Sequence, residues 1–516
     1  MDEENGEILV KWKTEKNDEN IDFPHLTMKN ERDFMWFEMD GDKSTCPIPN
    51  KSVHKKDKLV QDYFVYFPYS VPASVAQQCK NGEKMWKGLE EMSKGIRGFD
   101  HFEKIIQTYE PFHTESAGLR TSNLPEEWIL NLVSKIATLA MRSRELFLTP
   151  LPLLRIDSYY RSVSLSQEQI ACLLANAFLC CFQQRHDHFF NDFSFLSIHL
   201  SSDPISRAKL MFILRYFECV TKEMPTGVIT FHRKKIERPR KTPTGNYSWS
   251  EEAATVTDLT VKTHGSIFDA QGCLQVDFSS RFIGGGTLTY MALEEEILFL
   301  MRPELIVSQL LCEVINDDEA VVIIGAEQFS KCKGYAKSIE YESFDRSIST
   351  ERDVYGRARS IIVAIDALEL TKRGQKIQYE NEWVEREVNK AYVGFAMHDS
   401  ESHKRPIATG NWGCVTLNGD KELKTTGNWG CVTLNGDKEL KSLIQLVAAS
   451  KAGRPVIYYT SKDKELAEKI EKIHRKLRVK KISIGQVFQW ILNYNNETEH
   501  HKSAIDYIKK CIKAEK

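Results

Sequence analysis

Three consecutive glutamates at 294–296 follow a triple glycine at 284–286 in the run GGGTLTYMALEEE. Glycine lacks a Cβ atom, so Gly284, Gly285 and Gly286 let the backbone approach a ligand closely, and their amides can form a concave nest for a phosphate oxygen. The glutamates lie at the predicted start of a helix, where the helix dipole stabilises negative charge. Together the two features predict carboxylates that stand over the sugar of a nucleotide diphosphate. Taken separately, they are better explained by a flexible turn and by the dipole alone.

Glu295 and Glu296 are the candidate catalytic pair, with Glu294 beside them. Adjacent helical residues diverge by about 100°, so we expect these two not to form the facing pair of ordinary glycosidases. One would position the sugar and the other would donate a proton. A dinucleotide fold is disfavoured because no GxGxxG follows a strand in the right context, and GxxxxGK[ST] is absent. No GxSxG nucleophile elbow is found, although sequence spacing leaves a Ser/His/Asp or Cys/His hydrolase open.

A second candidate loop occurs twice, because TGNWGCVTLNGDKELK at 409–424 returns unchanged at 426–441. Complete identity indicates a recent tandem duplication or a gene-model error, so we interpret the repeat as one functional loop written twice. Glycines around Asn-Trp suit a diphosphate, with the following helix N-terminus aimed at it; a tight turn with a packed indole explains them equally well. We favour the second copy, which runs directly into the helix KSLIQLVAAS. The candidates are Gly410, Asn411, Trp412, Gly413 and Cys414 in the first copy and Gly427, Asn428, Trp429, Gly430 and Cys431 in the second.

Composition excludes several classes of protein. Lys+Arg 70 against Asp+Glu 72 gives a formal net charge of −2, so there is no global attraction to nucleic acids or anionic membranes. Twelve cysteines without a CxxC pair favour reduced thiols over a disulfide framework or a zinc site. The N-terminal run MDEENGEILVKWK is not a secretory signal, and no run reaches the roughly 18 apolar residues of a membrane span. We expect a soluble intracellular protein, in the nucleus and/or the cytoplasm.

The spacing of apolar residues divides the chain into four parts. We predict an irregular segment at 1–95, a helical accessory domain at 96–215, an α/β domain at 216–490 and a charged tail at 491–516. Helices are predicted at 126–141 and, from a capping box of Ser166 and Gln169, at 170–178. β-branched runs predict strands of a mixed sheet covered by helices. These runs are 226–231, 274–278, 320–326, 360–368, 392–397 and 455–460.

Many of these segments resemble the poly(ADP-ribose) glycohydrolase family, whose signature is a triple glycine, a short spacer and Gln-Glu-Glu. The likeness covers most of 96–490 and includes SLSQEQIACLLANAF, PTGVITF, LQVDFSSRFIGGG, RPELIVSQL, VAIDAL, NKAYVGF and ATGNWGC, in one order. The resemblance implies a macrodomain-like α/β/α sandwich with a mixed sheet, preceded by an all-helical accessory region. It also implies hydrolysis of the ribose–ribose O-glycosidic bonds of poly(ADP-ribose), which releases ADP-ribose.

The resemblance also assigns roles to individual residues. It makes Glu296 the residue that protonates the leaving ribose oxygen and then activates water, and Glu295 the neighbour that orients the ribose hydroxyls. The glycine loops would hold the diphosphate, and Tyr335 would close over the ligand. The remaining substrate-binding candidates are Asp277 and Ser280, beside the proximal ribose, and Ile267.

This chain departs from the family pattern at several positions. Glu294 replaces the glutamine of the signature, and its charge could raise the pKa of Glu296 by repulsion. Ser280 stands where an asparagine is usual, and Phe268 lies near an adenine-binding acidic residue that Asp269 could supply. Ser461 replaces an aromatic residue expected to stack on adenine, with Tyr459 as a substitute. We expect these changes to affect adenosine affinity more than the chemistry.

The resemblance implies no cofactor and no metal. We expect a monomer that acts on poly(ADP-ribose) and ADP-ribosylated proteins, without direct sequence-specific nucleic-acid binding and without membrane association. The basic run at 232–241 could be a nuclear localisation signal or a polyanion contact, although a solvated loop is the simpler interpretation. Two alternatives remain: an ADP-ribose-binding macrodomain without catalysis, which the Glu295–Glu296 pair disfavours, and a hydrolase of mono-ADP-ribosylated protein.

Overall fold

The structure is a computed structural model that describes residues 33–35, 37–38, 48–49, 64–65, 82–147, 151–156, 161–182, 188–235, 248–347, 351–353, 355–370, 374–397, 405–414, 436–495 and 503–515. The strands within these ranges are β1 (Asp33–Met35), β2 (Phe37–Glu38), β3 (Ile48–Pro49), β4 (Phe64–Val65), β5 (Leu151–Pro152), β6 (Ser162–Ser166), β7 (Val228–Lys235), β8 (Leu259–Lys262), β9 (Leu274–Ser279), β10 (Glu319–Ile324), β11 (Gln328–Lys333), β12 (Glu340–Ser347), β13 (Ile361–Asp366), β14 (Ile407–Gly410) and β15 (Val456–Tyr459).

The helices in the same ranges are α1 (Gly82–Lys94), α2 (Phe99–Gln107), α3 (Ala117–Arg120), α4 (Glu126–Met141), α5 (Ser143–Leu146), α6 (Gln167–Phe178), α7 (Leu196–Leu200), α8 (Pro204–Lys222), α9 (Glu294–Met301), α10 (Ser308–Leu311), α11 (Asn381–Phe395), α12 (Lys438–Ala452), α13 (Lys464–Val479), α14 (Ile484–Tyr494) and α15 (Ala504–Ala514). Between α9 and α10 the chain forms a 3-10 helix at Pro303–Val307, and another precedes β9 at Ile267–Asp269. No helix in the described ranges is both long and apolar enough to cross a membrane.

The core of the protein is a mixed sheet with helices on both faces. Among the described strands, nine form this sheet in the order β1-β6-β7-β10-β13-β9-β14-β15-β8. Side chains along a strand alternate between faces, and β10 shows the consequence. Val321 and Ile323 belong to the core shared with the helices α1–α9, whereas Val322 and Ile324 belong to the core under α11–α15. The predicted α/β/α sandwich, preceded by a helical region, is confirmed.

The parallel part of the sheet determines where a ligand can bind. Strands β13, β9, β14, β15 and β8 run parallel to one another, so their carboxyl ends meet at one edge. Ligands of open α/β sheets bind in the crevice outside these strand ends. The loops after β8, β9, β14 and β15 are therefore the ones that the fold brings together.

Several predicted elements are present with closely similar bounds. The helix predicted at 126–141 is α4, and the capping box of Ser166 and Gln169 starts α6. Five of the six predicted strands are β7, β9, β10, β13 and β15. The sixth prediction is wrong, because residues 392–397 include the last turn of α11. An apolar run of that length is compatible with a strand or with the end of a buried helix.

The predicted boundaries also need correction. Helix α1 begins at Gly82 and packs on α4, inside the segment predicted to be irregular. The region predicted to be all-helical supplies β6, which pairs with β7 in the central sheet. The predicted charged tail contains α15, which buries Ile505, Ile508 and Ile512 against the sandwich. Its charged residues lie on the exposed face of an amphipathic helix, which composition alone does not reveal.

Candidate active site

A cavity of about 430 Å³ lies at the carboxyl ends of β8, β9, β14 and β15. Its volume is in the range of small-molecule and cofactor sites. Polar and apolar groups contribute in similar measure, which suits a ligand with both sugar and base. The residues that line it are Gly265, Ser266, Ile267, Phe268, Val276, Asp277, Phe278, Glu294, Tyr335, Gly410, Asn411, Cys414, Lys438, Tyr459 and Ser461.

The two candidate catalytic glutamates, Glu295 and Glu296, are buried and held by backbone amides; neither lines the cavity, whereas their neighbour Glu294 does. Glu296 accepts hydrogen bonds from the amide of Gly286 at 2.8 Å and from the amide of Leu293 at 2.8 Å, one on each carboxylate oxygen. Glu295 accepts from the amide of Gly284 at 2.6 Å and the amide of Ser280 at 2.9 Å. Both side chains are less than 10 % exposed, so each carboxylate has a fixed orientation.

The two carboxylates converge on Gly285, contrary to the predicted divergence. A Cβ atom on this glycine would lie 2.4 Å from Oε1 of Glu296 and 2.8 Å from Oε2 of Glu295. The two oxygens are therefore no farther apart than the roughly 5–5.5 Å between the carboxyl groups of retaining glycosidases. The angle between helical positions does not determine where the carboxylates lie, because a glutamate side chain is long enough to bend back toward the loop. The expectation that the two do not form the facing pair of ordinary glycosidases stays a prediction.

The triple glycine has a different role from the phosphate nest that was predicted. The amides of Gly284 and Gly286 donate to Glu295 and Glu296, and the amide of Gly285 donates to the carbonyl of Phe282 at 2.9 Å. All three donors are thus used within the protein. None of the three glycines lines the cavity, because the loop faces the carboxylates instead. Glycine is required here for the close approach and for the positive φ of Gly284 and Gly285.

Four carboxyl groups form one acidic cluster between the loop and the cavity. Burial, followed by repulsion from Glu296 and Glu294, holds the pKa of Asp277 well above its usual range. Burial and the charges of Asp277 and Glu296 do the same for Glu295. Burial also raises the pKa of Glu294, which lines the cavity with Asp277. The extra charge of Glu294 therefore acts on Asp277, and its predicted effect on Glu296 stays a prediction.

The loop after β14 comes from the first copy of the repeat. Gly410, Asn411 and Cys414 line the cavity, and Gly413 has a φ of 70°. Trp412 is fully buried and donates from its indole N–H to the carbonyl of Ile365 at 3.1 Å. The tryptophan is thus a packed side chain of a tight turn and does not line the cavity. Residues Gly427, Asn428, Trp429, Gly430 and Cys431 of the second copy lie outside the described residues.

The end of the second copy begins the helix that faces this loop. The amide of Gly436 donates to the carbonyl of Gly413 at 3.0 Å, and Asp437 caps α12. The Asp437 carboxylate accepts the amides of Glu439 and Leu440 at 2.9 Å and 3.1 Å. These amides are therefore not available to a diphosphate, contrary to the predicted use of this helix N-terminus. Lys438, in the first turn, lines the cavity and supplies a positive charge.

Comparison with known proteins gives a consistent result. Residues 246–426 and 425–468 match the family described as "Poly (ADP-ribose) glycohydrolase (PARG), Macro domain fold", and residues 121–233 match its "helical domain". The chain is 30% identical over 385 residues to "Probable poly(ADP-ribose) glycohydrolase 2" of Arabidopsis thaliana, a match that covers 65% of this chain and 69% of that protein. The chain belongs to the poly(ADP-ribose) glycohydrolase family.

Two nematode relatives extend this comparison. "Poly(ADP-ribose) glycohydrolase 1" of Caenorhabditis elegans is 31% identical over 385 residues, which cover 72% of this chain and 45% of that protein. "Poly(ADP-ribose) glycohydrolase 2" of the same organism is 29% identical over 390 residues, which cover 72% of this chain and 73% of that protein. The chain thus matches less than half the length of the first relative and more than two thirds of the second. The two segments of the macro-domain match meet between the two copies of the repeat.

The other positions assigned from the family are distributed around the cavity. Ile267 and Tyr335 line it, and the Tyr335 hydroxyl is buried without a hydrogen-bond partner among the described residues. Ser280 is exposed and does not line the cavity, although its amide holds Glu295. Tyr459 and Ser461 both line the cavity, and the use of Tyr459 for adenine stays a prediction.

Two residues that hold the glycine loop by its carbonyl groups were not predicted from the sequence. Nζ of Lys209 in α8 donates to three loop carbonyls, and Nε2 of Gln309 donates to the carbonyl of Gly285 at 3.3 Å. A signal for Lys209 was available, because it occupies the apolar stripe formed by Ile205, Phe212 and Tyr216 in α8. A lysine at such a position needs buried hydrogen-bond acceptors.

The basic run at 232–241 begins inside the sheet. His232 to Lys235 belong to β7, so the interpretation as a solvated loop is wrong for these residues. Arg233 is 1% exposed and forms a buried ion pair with Glu319. The rest of the run lies outside the described residues. Arg233 cannot serve a transport receptor or a polyanion while it stays in this pair.

Proposed function

We propose that this chain hydrolyses the ribose–ribose O-glycosidic bonds of poly(ADP-ribose) and releases ADP-ribose, with Glu296 as general acid and base. The observation that carries the proposal is the pair Glu295–Glu296, fixed by the amides of the glycine loop beside a cavity of nucleotide-diphosphate size. Membership of the family supports the same reaction. A macrodomain that only binds ADP-ribose needs no proton donor, so the pair Glu295–Glu296 favours the hydrolase.

The proposed reaction has two proton transfers, both through Glu296. In its acid form, Glu296 donates its proton to the oxygen of the leaving ribose, and the bond from the anomeric carbon to that oxygen breaks. The anomeric carbon becomes oxocarbenium-like. The Glu296 carboxylate then removes a proton from water, whose oxygen bonds to the anomeric carbon. The products are ADP-ribose and a polymer shortened by one unit with a free hydroxyl.

The neighbours of Glu296 support positioning roles. Glu295 is held on both carboxylate oxygens, with Oε1 also accepting the Ser279 hydroxyl at 2.7 Å. Such a fixed carboxylate suits orientation of ribose hydroxyls. Asp277 lines the cavity, and its Oδ2 has no hydrogen-bond partner among the described residues. A ribose hydroxyl that donates to this oxygen would satisfy a buried acceptor, which favours binding.

The change Glu296→Gln tests the proposal. Glutamine keeps the shape of the side chain but has no acidic proton, so the turnover number should fall by about 10²–10⁴-fold. Release of ADP-ribose from labelled poly(ADP-ribose) measures this, and calorimetric titration with ADP-ribose shows whether the cavity is intact. Glu465→Gln is the matched control, since Glu465 is in the first turn of α13 and its side chain is 80% exposed.

Three outcomes separate the candidate functions. Loss of hydrolysis in Glu296→Gln, with ADP-ribose binding retained, supports the proposal. Release of ADP-ribose from mono-ADP-ribosylated protein but not from polymer would favour the alternative hydrolase. Binding of ADP-ribose by the unchanged protein, without hydrolysis of either substrate, would leave only a binding module. The expected nuclear or cytoplasmic location and monomeric state belong to the same proposal and are tested by fractionation and gel filtration.

A further inference from the structure

Lys209 connects the helical region to the loop that holds Glu296. It lies in the second turn of α8 and is 0% exposed. Its ammonium donates to the carbonyls of Gly286 at 2.8 Å, Thr287 at 3.0 Å and Thr289 at 2.8 Å. A lysine ammonium has three N–H donors, and Lys209 directs all three to backbone carbonyls within residues 286–289.

The same stretch holds the catalytic carboxylate. Gly286 donates its amide to Glu296 at 2.8 Å and accepts Lys209 on its own carbonyl. One residue of backbone therefore separates the ammonium from the carboxylate. The amide of Gly286 shares a peptide plane with the carbonyl of Gly285, which accepts from Gln309, and the next plane carries the Gly286 carbonyl that Lys209 holds. Gln309 and Lys209 hold consecutive loop carbonyls, at Gly285 and Gly286, so the loop is fixed from the side opposite the carboxylates.

A buried ammonium is costly, which makes its placement informative. Burial lowers the pKa of Lys209 to about 7, although the charges of Glu296 in α9 and Asp203 at the start of α8 act in the opposite direction. A methionine of similar length would fill this space without the cost of burying a charge. Packing of α8 therefore does not explain a lysine at this position, whereas three loop carbonyls do.

A second side chain from the helical region braces the other end of the loop. Nδ2 of Asn191 donates to the carbonyl of Ile283 at 3.1 Å. This contact lies just before Gly284, while the Lys209 contacts lie at and after Gly286. The helical region thus holds the glycine loop on both sides of the residues that bind Glu295 and Glu296.

We propose that Lys209 is a positioning residue for Glu296 and that, through it, the helical region forms part of the catalytic apparatus. This inference rests on the proposed function. It implies that Lys209 affects the chemical step and not the binding of ADP-ribose, because neither Lys209 nor the carbonyls it holds line the cavity. A purely structural lysine would instead change stability and the fraction of folded protein.

The experiment compares Lys209→Met, Lys209→Arg and Asn191→Ala in the full chain. Without the ammonium the loop carbonyls lose their donor, and a displacement of Glu296 by about 1 Å should lower the turnover number by about 10²-fold. Binding of ADP-ribose, measured by calorimetry with its stoichiometry, should be unchanged. Arginine should recover part of the turnover number, because it supplies donors to the same carbonyls. Asn191→Ala removes the two hydrogen bonds that Nδ2 donates, to the carbonyls of Phe282 at 3.4 Å and Ile283 at 3.1 Å, and should lower the turnover number by about threefold to tenfold.

Lys390→Met is the matched control. Lys390 is also 0% exposed, donates to the carbonyl of Glu319 at 2.9 Å and pairs with Asp366 at 2.7 Å, away from the glycine loop. It should lower the melting temperature and leave the turnover number per binding site unchanged. An equal loss of turnover in this control would overturn the inference.

The remaining outcomes separate the inference from the function it rests on. If the unchanged protein does not hydrolyse polymer, the proposed function is wrong, and the inference about Lys209 fails with it. If the protein is active and Lys209→Met keeps its turnover number, the inference is wrong. The inference also fails if turnover falls only in proportion to the number of ADP-ribose sites. Should Lys209→Met not fold, Asn191→Ala decides, since an unchanged turnover number there contradicts a loop positioned from the helical region.

Discussion

Replacement of Gly285 by alanine should displace both carboxylates of the proposed catalytic pair at once. Gly285 has a φ of 46°, and its Cβ atom would lie 2.4 Å from Oε1 of Glu296 and 2.8 Å from Oε2 of Glu295. Real Cβ atoms keep an ordinary contact distance of 3.4 Å or more. Glu296 must therefore move by about 1 Å, or the loop must move away from it. Both movements break the hydrogen bond from Gly286 to Glu296.

The structure separates the expected cost in stability from the cost in rate. A residue with a side chain in the left-handed region costs about 1–2 kcal/mol, which lowers the free energy of unfolding without abolishing folding. A carboxylate misplaced by about 1 Å lowers the rate by about 10²-fold, and complete loss of general acid catalysis by about 10²–10⁴-fold. We therefore expect the turnover number to fall by about 10²–10⁴-fold, which corresponds to an increase of about 3–5 kcal/mol in the activation free energy.

The assay is release of ADP-ribose from poly(ADP-ribose), together with denaturant unfolding. Gly374→Ala is the control for backbone strain, because Gly374 has a φ of 88° and no atom lies within 4 Å of its Cβ position. It should show a similar loss of stability and the turnover number of the unchanged protein. A folded Gly285→Ala with unchanged turnover would refute the argument that these carboxylates act from this position. An equal loss of activity in Gly374→Ala would refute the separation of strain from chemistry.

Two further predictions concern stability. The Asp277→Asn variant should be more stable than the unchanged protein by about 1–3 kcal/mol at pH 8. The pKa of Asp277 is raised on folding, so the unfolded chain binds fewer protons than the folded one. The stability of the unchanged protein therefore falls as pH rises above the unfolded pKa, and that of the variant does not. If the stability difference between the variant and the unchanged protein shrank toward pH 8, this reasoning would be wrong. Deletion of residues 415–431 leaves one copy of the repeat and shortens the connection from Cys414 to Gly436 from 21 residues to four. The shorter connection loses less entropy on closure, so the protein should gain about 1–2 kcal/mol in free energy of unfolding, measured by urea unfolding, and keep its activity. Loss of activity would contradict the interpretation of one loop written twice.

The sequence predicted which segments meet at the site. Short apolar runs with turns at their ends identified β9 and β15, and acidic residues after a turn identified the start of α9 at Glu294. These features depend on local periodicity and helix-terminal chemistry, which a single sequence contains. The topology then follows, because parallel strands bring their carboxyl ends together.

The direction of individual hydrogen bonds could not be read from the sequence. A triple glycine before a helix is compatible with amides that face a phosphate or a carboxylate, and the structure has the amides of Gly284 and Gly286 facing Glu295 and Glu296. The choice depends on side-chain rotamers and on distant residues such as Lys209, which lies 77 positions from Gly286 in the chain. The apolar stripe around Lys209 indicates a buried lysine, but it does not identify the loop 77 positions away whose carbonyls the lysine holds.

The repeat illustrates how a structural element can be assembled from two copies. The cavity takes Gly410, Asn411 and Cys414 from the first copy, while the facing helix takes Asp437 and Lys438 from the second. The preference for the second copy assumed that one copy must provide both the strand-end turn and the helix start. Because the copies are identical, the turn from the first copy and the helix start from the second supply the same residue types as one copy would at these positions, and the amide of Gly436 joins them by donating to the carbonyl of Gly413. We therefore expect activity to depend on this junction and not on which copy is regarded as the original.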